Sequence, residues 1–273
     1  MKVSRLCRKV GMSRQNYYKG RKLRQRRKVD EGLVVSLVEQ ERSMHPRMGC
    51  LKLYMRLKGE FKEAGVRLGR DRFLEVMRAQ GLLVEPLPRA PRTTISRHSL
   101  GVYGNRFREK SLTGANQAWV SDITYLRIRD RFAYLHLLTD AWSRKIVGYH
   151  LGESLESSET IKALENALAE LPPGCRPLHH SDRGCQYCCH EYVERLRSFG
   201  MDISMTETNH CAENALAERM NGILKQEYWL GGEFASLQEA VRAVEEAVWL
   251  YNNHRPHRSL QFRTPAAVHQ EVA

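Results

Sequence analysis

Apolar and polar positions recur with two different periods along this chain, helical in its first third and strand-like in its middle. Leu6, Cys7 and Val10 stand at helical spacing, Gly11-Met12 interrupts them, and Ser13 can cap a second helix carrying Tyr17 and Tyr18. A basic run, Arg21 to Lys28, follows and reads equally as a phosphate-backbone contact or a soluble linker. Apolar positions 33, 34, 37 and 38 then form one stripe of a helix around Leu33 to Gln40. The stretches Gly49 to Leu57 and Arg70 to Ala79 flank a turn at Ala64-Gly65, an arrangement compatible with a helix-turn-helix. Phe73, Val76 and Met77 face its core, which leaves Arg67, Arg70, Arg72 and Arg78 for phosphates or base edges. An ordinary three-helix bundle with a charged surface is the plainer alternative.

Residues 85–99 hold Pro86, Pro88 and Pro91 among Arg, Thr and Ser, a composition that resists regular structure and marks a linker. Beyond it the period changes. Trp119 to Ile128, Phe132 to Asp140 and Ile146 to Leu151 are rich in β-branched, aromatic and leucine residues, with turn signals at Arg129-Asp130 and Ser143-Arg144, and predict three antiparallel strands. A helix from Ser158 to Leu171 is stopped by Pro172-Pro173-Gly174. A strand through Leu178 to Ser181, a helix over Glu191 to Phe199 and a short strand at Met201 to Met205 complete the middle. Ser236 with Glu239 predicts a capping box for a helix through Trp249, whose buried stripe is Leu237, Val241, Val244 and Val248. The expected division is a basic helical segment at 1–30, a helix-turn-helix-like unit at 31–84, a linker at 85–112 and a larger unit at 113–273.

Charge sharpens this division. Residues 1–98 carry 25 basic and 9 acidic side chains, residues 99–273 carry 19 and 22, so the whole net charge of +13 originates in the first third. Clustering on that scale suits a partner with a dense line of phosphates. A membrane surface fits less well, because the cations are spread over several helical segments without a continuous aromatic and leucine-rich face opposite. There is no apolar run of bilayer-spanning length, and MKVSRLCRKVG is too polar for a secretion signal. The seven cysteines are an odd number in a chain too large to need stapling, which suits reduced thiols; a cytoplasmic, nucleoid-associated protein is expected.

Three carboxylates carry the candidate chemistry. Asp122, Asp182 and Glu218 stand with 59 and then 35 residues between them, the first two at strand ends and the third inside a helix. Three acids drawn to one point repel unless a divalent cation compensates them, and a hard cation with oxygen ligands in a basic protein points to phosphodiester chemistry. At 100° per residue, Asn214, Asn221, Gly222 and Lys225 share the face of Glu218, while Leu216, Met220, Ile223 and Leu224 lie opposite. Gly222 keeps that polar face low, as an approaching nucleic-acid backbone would need. Arg255, His257 and Arg258 could touch DNA, or merely tie the last helix to the core. His179, His180, Cys185, Cys188, Cys189 and His190 crowd one segment with a Cys-x-x-Cys spacing, but no second pair follows at the distance a zinc finger needs.

WVSDITYL at 119–126, HSDRGCQY at 180–187, ENALAERMNGILKQE at 213–227 and YNNHRPHRSL at 251–260 together resemble the integrase-type DDE transposases of bacterial insertion sequences, most closely the second-frame protein of insertion-sequence family three. The resemblance covers about residues 45–268. It implies an α/β fold, a ribonuclease-H-like integrase core with a mixed five-stranded sheet flanked by helices, preceded by a small all-α helix-turn-helix domain over 45–82. It implies that Asp122, Asp182 and Glu218 are catalytic and bind two magnesium or manganese ions, and that Lys225 contacts DNA. It implies cleavage of the element's own ends and transfer of the 3′-hydroxyl to another phosphodiester, on double-stranded terminal repeats and target DNA. A homo-oligomer on DNA and fusion with an upstream-frame DNA-binding protein are further implied partners. Near Glu218 the chain departs from the family pattern: Asn209-His210-Cys211-Ala212 replaces a Gly-x-Pro turn. A DNA-binding module without catalysis, or a general nuclease of similar fold, are the competing classes.

Overall fold

The computed structural model describes residues 3–85, 100–207 and 213–271. Two compact units emerge: one of residues 1–44 and 48–85, the other of 45–47 and 86–273. Pro86, Pro88 and Pro91 of the expected linker, and the departure at 209–212, lie outside the described residues.

The first unit is all-helical: α1 (Val3–Lys9), α2 (Arg14–Met44), α3 (Cys50–Glu63) and α4 (Arg70–Ala79). Val34 and Val38 of α2, Leu53, Leu57 and Phe61 of α3, and Phe73, Val76 and Met77 of α4 close one apolar core. The basic run does not separate two elements. It lies within the 31-residue α2, and the boundary expected at residue 30 falls inside that helix. Long-stemmed Arg, Lys and Gln are good helix formers, so an exposed basic segment continues a helix that its apolar C-terminal half anchors.

The second unit is built on a sheet of β1 (Ala118–Ile128), β2 (Arg131–Asp140), β3 (Ile146–Gly152), β4 (Leu178–Ser181) and β5 (Ile203–Met205), in the order β3-β2-β1-β4-β5. β1, β2 and β3 are antiparallel, whereas β4 and β5 run parallel to β1, which makes the sheet mixed. The structure adds a two-residue β6 (Glu233–Phe234) that pairs with the far end of β1. Consequently β2 lines β1 from 119 to 128, while on the other side β4 reaches only 118–120 and β6 only 127–128.

Helices cover both faces. Against one pack α5 (Ser157–Ala169), the one-turn α6 (Cys185–Cys188) and α7 (His190–Ser198), around Trp119, Leu138, Leu164, Tyr192 and Leu196. Against the other pack α8 (Ala215–Glu227) and α9 (Leu237–Asn253), around Leu126, Leu135, Ile223, Val244 and Tyr251. A short α10 (Pro265–Gln270) follows. Gly148 allows α5 to sit close on β3, since a Cβ there would come 2.4 Å from the Ala163 carbonyl oxygen. Ser236 caps α9 by accepting from the Glu239 N–H, while the Glu239 carboxylate reaches back to the Ala235 N–H. Residues 100–112, expected as linker, pack on this unit: Phe107 and Leu112 join the cluster around Val120, and the Phe107 N–H donates to Ser204 Oγ. Their apolar side chains supply the reason.

Candidate active site

Asp122 lies on β1 opposite Leu137 of β2, beside the stretch of β1 that β4 leaves uncovered. Asp182 follows the last residue of the parallel neighbour β4, and Glu218 sits in the first turn of α8, which packs against β1. Strand alternation points Asp122 to the face where α8 lies, so three chain segments converge on one end of the sheet.

Electrostatics record the convergence. The Asp122 carboxyl is pushed up to about 7, first by burial and next by the charge of Asp182, with Glu218 adding to the effect. The Ile123 N–H and the Asn221 amide oppose that rise by donating to the carboxylate, Asn221 Nδ2 at 2.7 Å from Asp122 Oδ2. Asp182 Oδ1 accepts from the Gly184 N–H at 2.9 Å, which ties it to the start of α6. Glu218 is exposed.

The donor set is hard and oxygen-rich, as magnesium requires. Besides the carboxylates, the side-chain oxygens of Asn214 and Asn221 are buried without a partner. Among the described residues, no three His, Cys, Asp or Glu side chains are drawn tightly enough to hold a metal ion as they stand. The residues suit a hydrated divalent ion in kind and charge.

The polar face of α8 is used differently from the expectation. Asn214 and Asn221 are buried at 3% and 7% exposure, and Asn214 Nδ2 donates to the Ser121 carbonyl at 3.1 Å. Both amides fasten α8 to the uncovered side of β1 instead of presenting themselves to DNA, because that strand offers unpaired groups that burial requires to be satisfied. The Lys225 ammonium lies 4.4 Å over the Tyr125 ring, and burial lowers its pKa while the charge of Asp122 raises it. A Cβ at Gly222 would meet nothing within 4 Å, so no contact inside the chain requires glycine there.

Arg255 corrects a second expectation. The residue is 1% exposed and forms a two-pronged ion pair with Glu227, at 2.8 and 2.9 Å, with Tyr251 beneath the guanidinium. A guanidinium held so is a structural tie, and reaching phosphate would strand Glu227. Arg258 is exposed on a short 3-10 turn. In the first unit Arg67, Arg70, Arg72 and Arg78 are all exposed, but Arg72 is bound to Glu31 and Glu75, and Arg70 to Asp71. The crowded His and Cys segment disperses: His179 bonds the Tyr192 hydroxyl, His180 bonds Ser204 and the Glu213 carbonyl, and Cys189 caps α7.

Tyr187 was not signalled by the sequence reading. Its hydroxyl lies 3.0 Å from Ser121 Oγ behind the acids, and its pKa is raised by burial and then by Asp122 and Asp182. The role of Asn221 was legible in principle, since a side chain three residues after Glu218 lies on the same helix face.

Models of the integrase core domain match residues 113–211 and 199–265. The 31 kDa protein of insertion element IS600 from Shigella sonnei is 32% identical over 270 residues, covering 97% of this chain and 98% of that one. This chain belongs to the integrase-type transposases of bacterial insertion elements. The transposase for insertion sequence IS629 from Shigella sonnei is 31% identical over 81% of this chain and 73% of its own length. In the simian T-cell lymphotropic virus intasome, solved in complex with a phosphatase regulatory subunit, one chain overlays with a TM-score of 0.51 at 20% identity, over 84% of this chain and 73% of its own, a likeness of fold. Membership gives the transposase its general activity, DNA transposition by polynucleotidyl transfer. No described helix is long and apolar enough to cross a membrane.

Proposed function

We propose that this transposase cuts the ends of its insertion element and joins them to target DNA through Asp122, Asp182 and Glu218. The observation that carries the reading is geometric: Asp122 on β1 and Asp182 just past β4 lie on neighbouring parallel strands, and α8, which bears Glu218, packs against β1 and bonds Asp122 through Asn221. Acids with 59 and then 35 residues between them meet at one part of the sheet, a repulsive arrangement that a cation relieves.

Two magnesium or manganese ions, when bound, would supply Lewis acidity and neutralise charge on the attacked phosphate. Asp122 and Asp182 would hold them jointly and Glu218, the exposed member, would close the set. Asn221 fixes the Asp122 carboxylate in place, so that binding energy is not lost in reorienting it. In cleavage, a water oxygen bonds to phosphorus and the phosphorus–O3′ bond breaks, leaving a 3′-hydroxyl on the element end. In joining, that 3′-oxygen bonds to a target phosphorus and displaces the target's own 3′-oxygen. The protons lost by the attacking groups leave through solvent, and no covalent enzyme intermediate is needed.

Duplex DNA, comprising terminal inverted repeats and target, is the proposed substrate. Lys225 and Arg258 would contact it near the acids, and Arg67, Arg70, Arg72 and Arg78 would do so in a DNA-binding unit over residues 31–84. Asn214, Asn221 and Arg255 leave the list of DNA contacts for the reasons given above. A homo-oligomer assembled on DNA suits a reaction that must join two ends.

The test is incubation of the protein with a supercoiled plasmid bearing the element's ends and manganese. End-specific nicks and joined products are expected. Asp122→Asn, Asp182→Asn and Glu218→Gln should each abolish both while retaining DNA binding, and cleavage surviving any of them refutes the assignment. Degradation of unrelated DNA without joining would favour a general nuclease.

A further inference from the structure

We propose that α1 and the first half of α2 form a second duplex-DNA-binding helix-turn-helix, separate from the unit over 31–84. The proposal rests on the reading of duplex DNA as substrate and adds a surface to it.

The local structure is a short helix, a four-residue turn and a long helix. α1 ends at Lys9 and α2 begins at Arg14. Gly11 takes a φ of +64°, which lets the chain reverse between them, and the Met12 N–H closes onto the Cys7 carbonyl at 2.9 Å. Ser13 caps α2, its Oγ accepting from the Asn16 N–H at 3.1 Å. Cys7, 3% exposed, is the buried residue of α1, and Tyr17 and Gly20 are the less exposed positions of the opening turns of α2. A turn of this length, with glycine, joining a short helix to a longer one is the architecture in which the second helix enters the major groove.

The charge fits the same groove. Residues 14–28 contain eight Lys and Arg and no Asp or Glu, and all eight are exposed. At 100° per residue they do not form one undivided stripe. Arg14, Arg21 and Lys28 line one flank of α2, and Lys19, Lys22 and Arg26 line the other. Between the flanks stand Tyr18 and Gln25, both exposed. Cations on both sides of a strip of amide and phenol groups match a helix lying in the major groove: the flanks reach the two phosphate backbones, and the strip faces base edges, where Gln can bond adenine. A surface serving solubility alone has no need to exclude every acid from this stretch.

The experiment measures binding of the full chain to an element-end duplex by fluorescence anisotropy across a salt series, with a hydroxyl-radical footprint. The triple variant Lys19→Gln, Lys22→Gln, Arg26→Gln should lower the slope of log K against log salt by about 2 to 3. It should also remove one protected patch from the footprint. Lys22→Arg, which keeps the charge, should leave folding, slope and footprint as in the unaltered chain. Tyr18→Ala with Gln25→Ala should keep the slope but reduce the preference for end over random duplex about tenfold or more. Circular dichroism verifies that each variant folds. An unchanged slope and footprint in a folded triple variant overturns the proposal, as does tighter binding of α2's cations to single-stranded RNA than to duplex DNA. Asp122→Asn separates the two readings: failure of the catalytic assignment leaves this footprint intact, and failure here leaves cleavage chemistry assigned as before.

Discussion

Asn221 donates its side-chain N–H to Asp122 across 2.7 Å, joining α8 to the central strand at a carboxylate that burial and Asp182 push toward the protonated form. A hydrogen bond to a charged group contributes about 1.5–3 kcal/mol, which corresponds to roughly 10- to 100-fold in rate if it is needed only in the reactive arrangement. Asn221→Ala should therefore slow end cleavage by that factor. Manganese binding, followed by electron paramagnetic resonance, should weaken in parallel while the thermal midpoint changes little. Unaltered metal affinity would show that the bond is only a packing detail.

Arg255 is expected to behave as a core residue. Truncating one member of a buried ion pair costs about 3–5 kcal/mol because the other is left uncompensated. Arg255→Ala should lower the urea midpoint accordingly, whereas Arg258→Ala, at an exposed position, should leave it unchanged and weaken DNA binding with a shallower salt dependence. Equal stability of the two variants would contradict the pairing with Glu227.

Gly222 separates folding from function. Alanine in its place meets no atom within 4 Å and removes the helix penalty of glycine, so Gly222→Ala should stabilise the protein by about 0.5–1 kcal/mol. If the low face of α8 admits DNA, the same variant should bind or cleave its substrate less well. Thermal melts and anisotropy titrations on one preparation would reveal whether the two effects part company.

Two histidines predict an acid weakness. His136 is lowered from 6.5 to about 4 and His179 to about 3, each chiefly by burial and then by a neighbouring histidine, His150 and His180 respectively. A folded pKa below the unfolded one means that the unfolded chain takes up the proton first. Stability from these groups is thus complete above pH 6.5 and is lost as pH falls toward 4 and 3, by at most about 3–5 kcal/mol apiece. His136→Gln should flatten the denaturation midpoint between pH 6.5 and 4, and an unchanged slope there would refute the assignment.

The sheet was legible because its strands are rich in β-branched, aromatic and leucine residues and end at recognisable turns: Arg129 and Arg144 both take positive φ where the turns were expected. That Asp122, Asp182 and Glu218 come within electrostatic reach of one another was legible through spacing and motif. What sequence hid was partnership across distance. Arg255 and Glu227 lie 28 residues apart, and nothing in YNNHRPHRSL marks one arginine as buried. Asn214 and Asn221 fall on the same helical face as Glu218, but whether that face meets solvent or a strand depends on how little of β1 its neighbour covers. The basic run misled for a local reason, since composition distinguishes charge from apolarity and not helix from linker.

That partial coverage of β1 has a bearing on how the chain fares when damaged. Over residues 121–126 no described strand pairs on the side facing β4 and β6, and amides of α8 occupy part of the vacancy. Loss of that helix, by proteolysis or a premature stop, would lay bare a strand edge rich in β-formers, a template on which a second molecule could add its own strand. Fragments ending before residue 213 are thus expected to precipitate, and the element's failed products would be cleared as aggregates more readily than they would persist as soluble competitors.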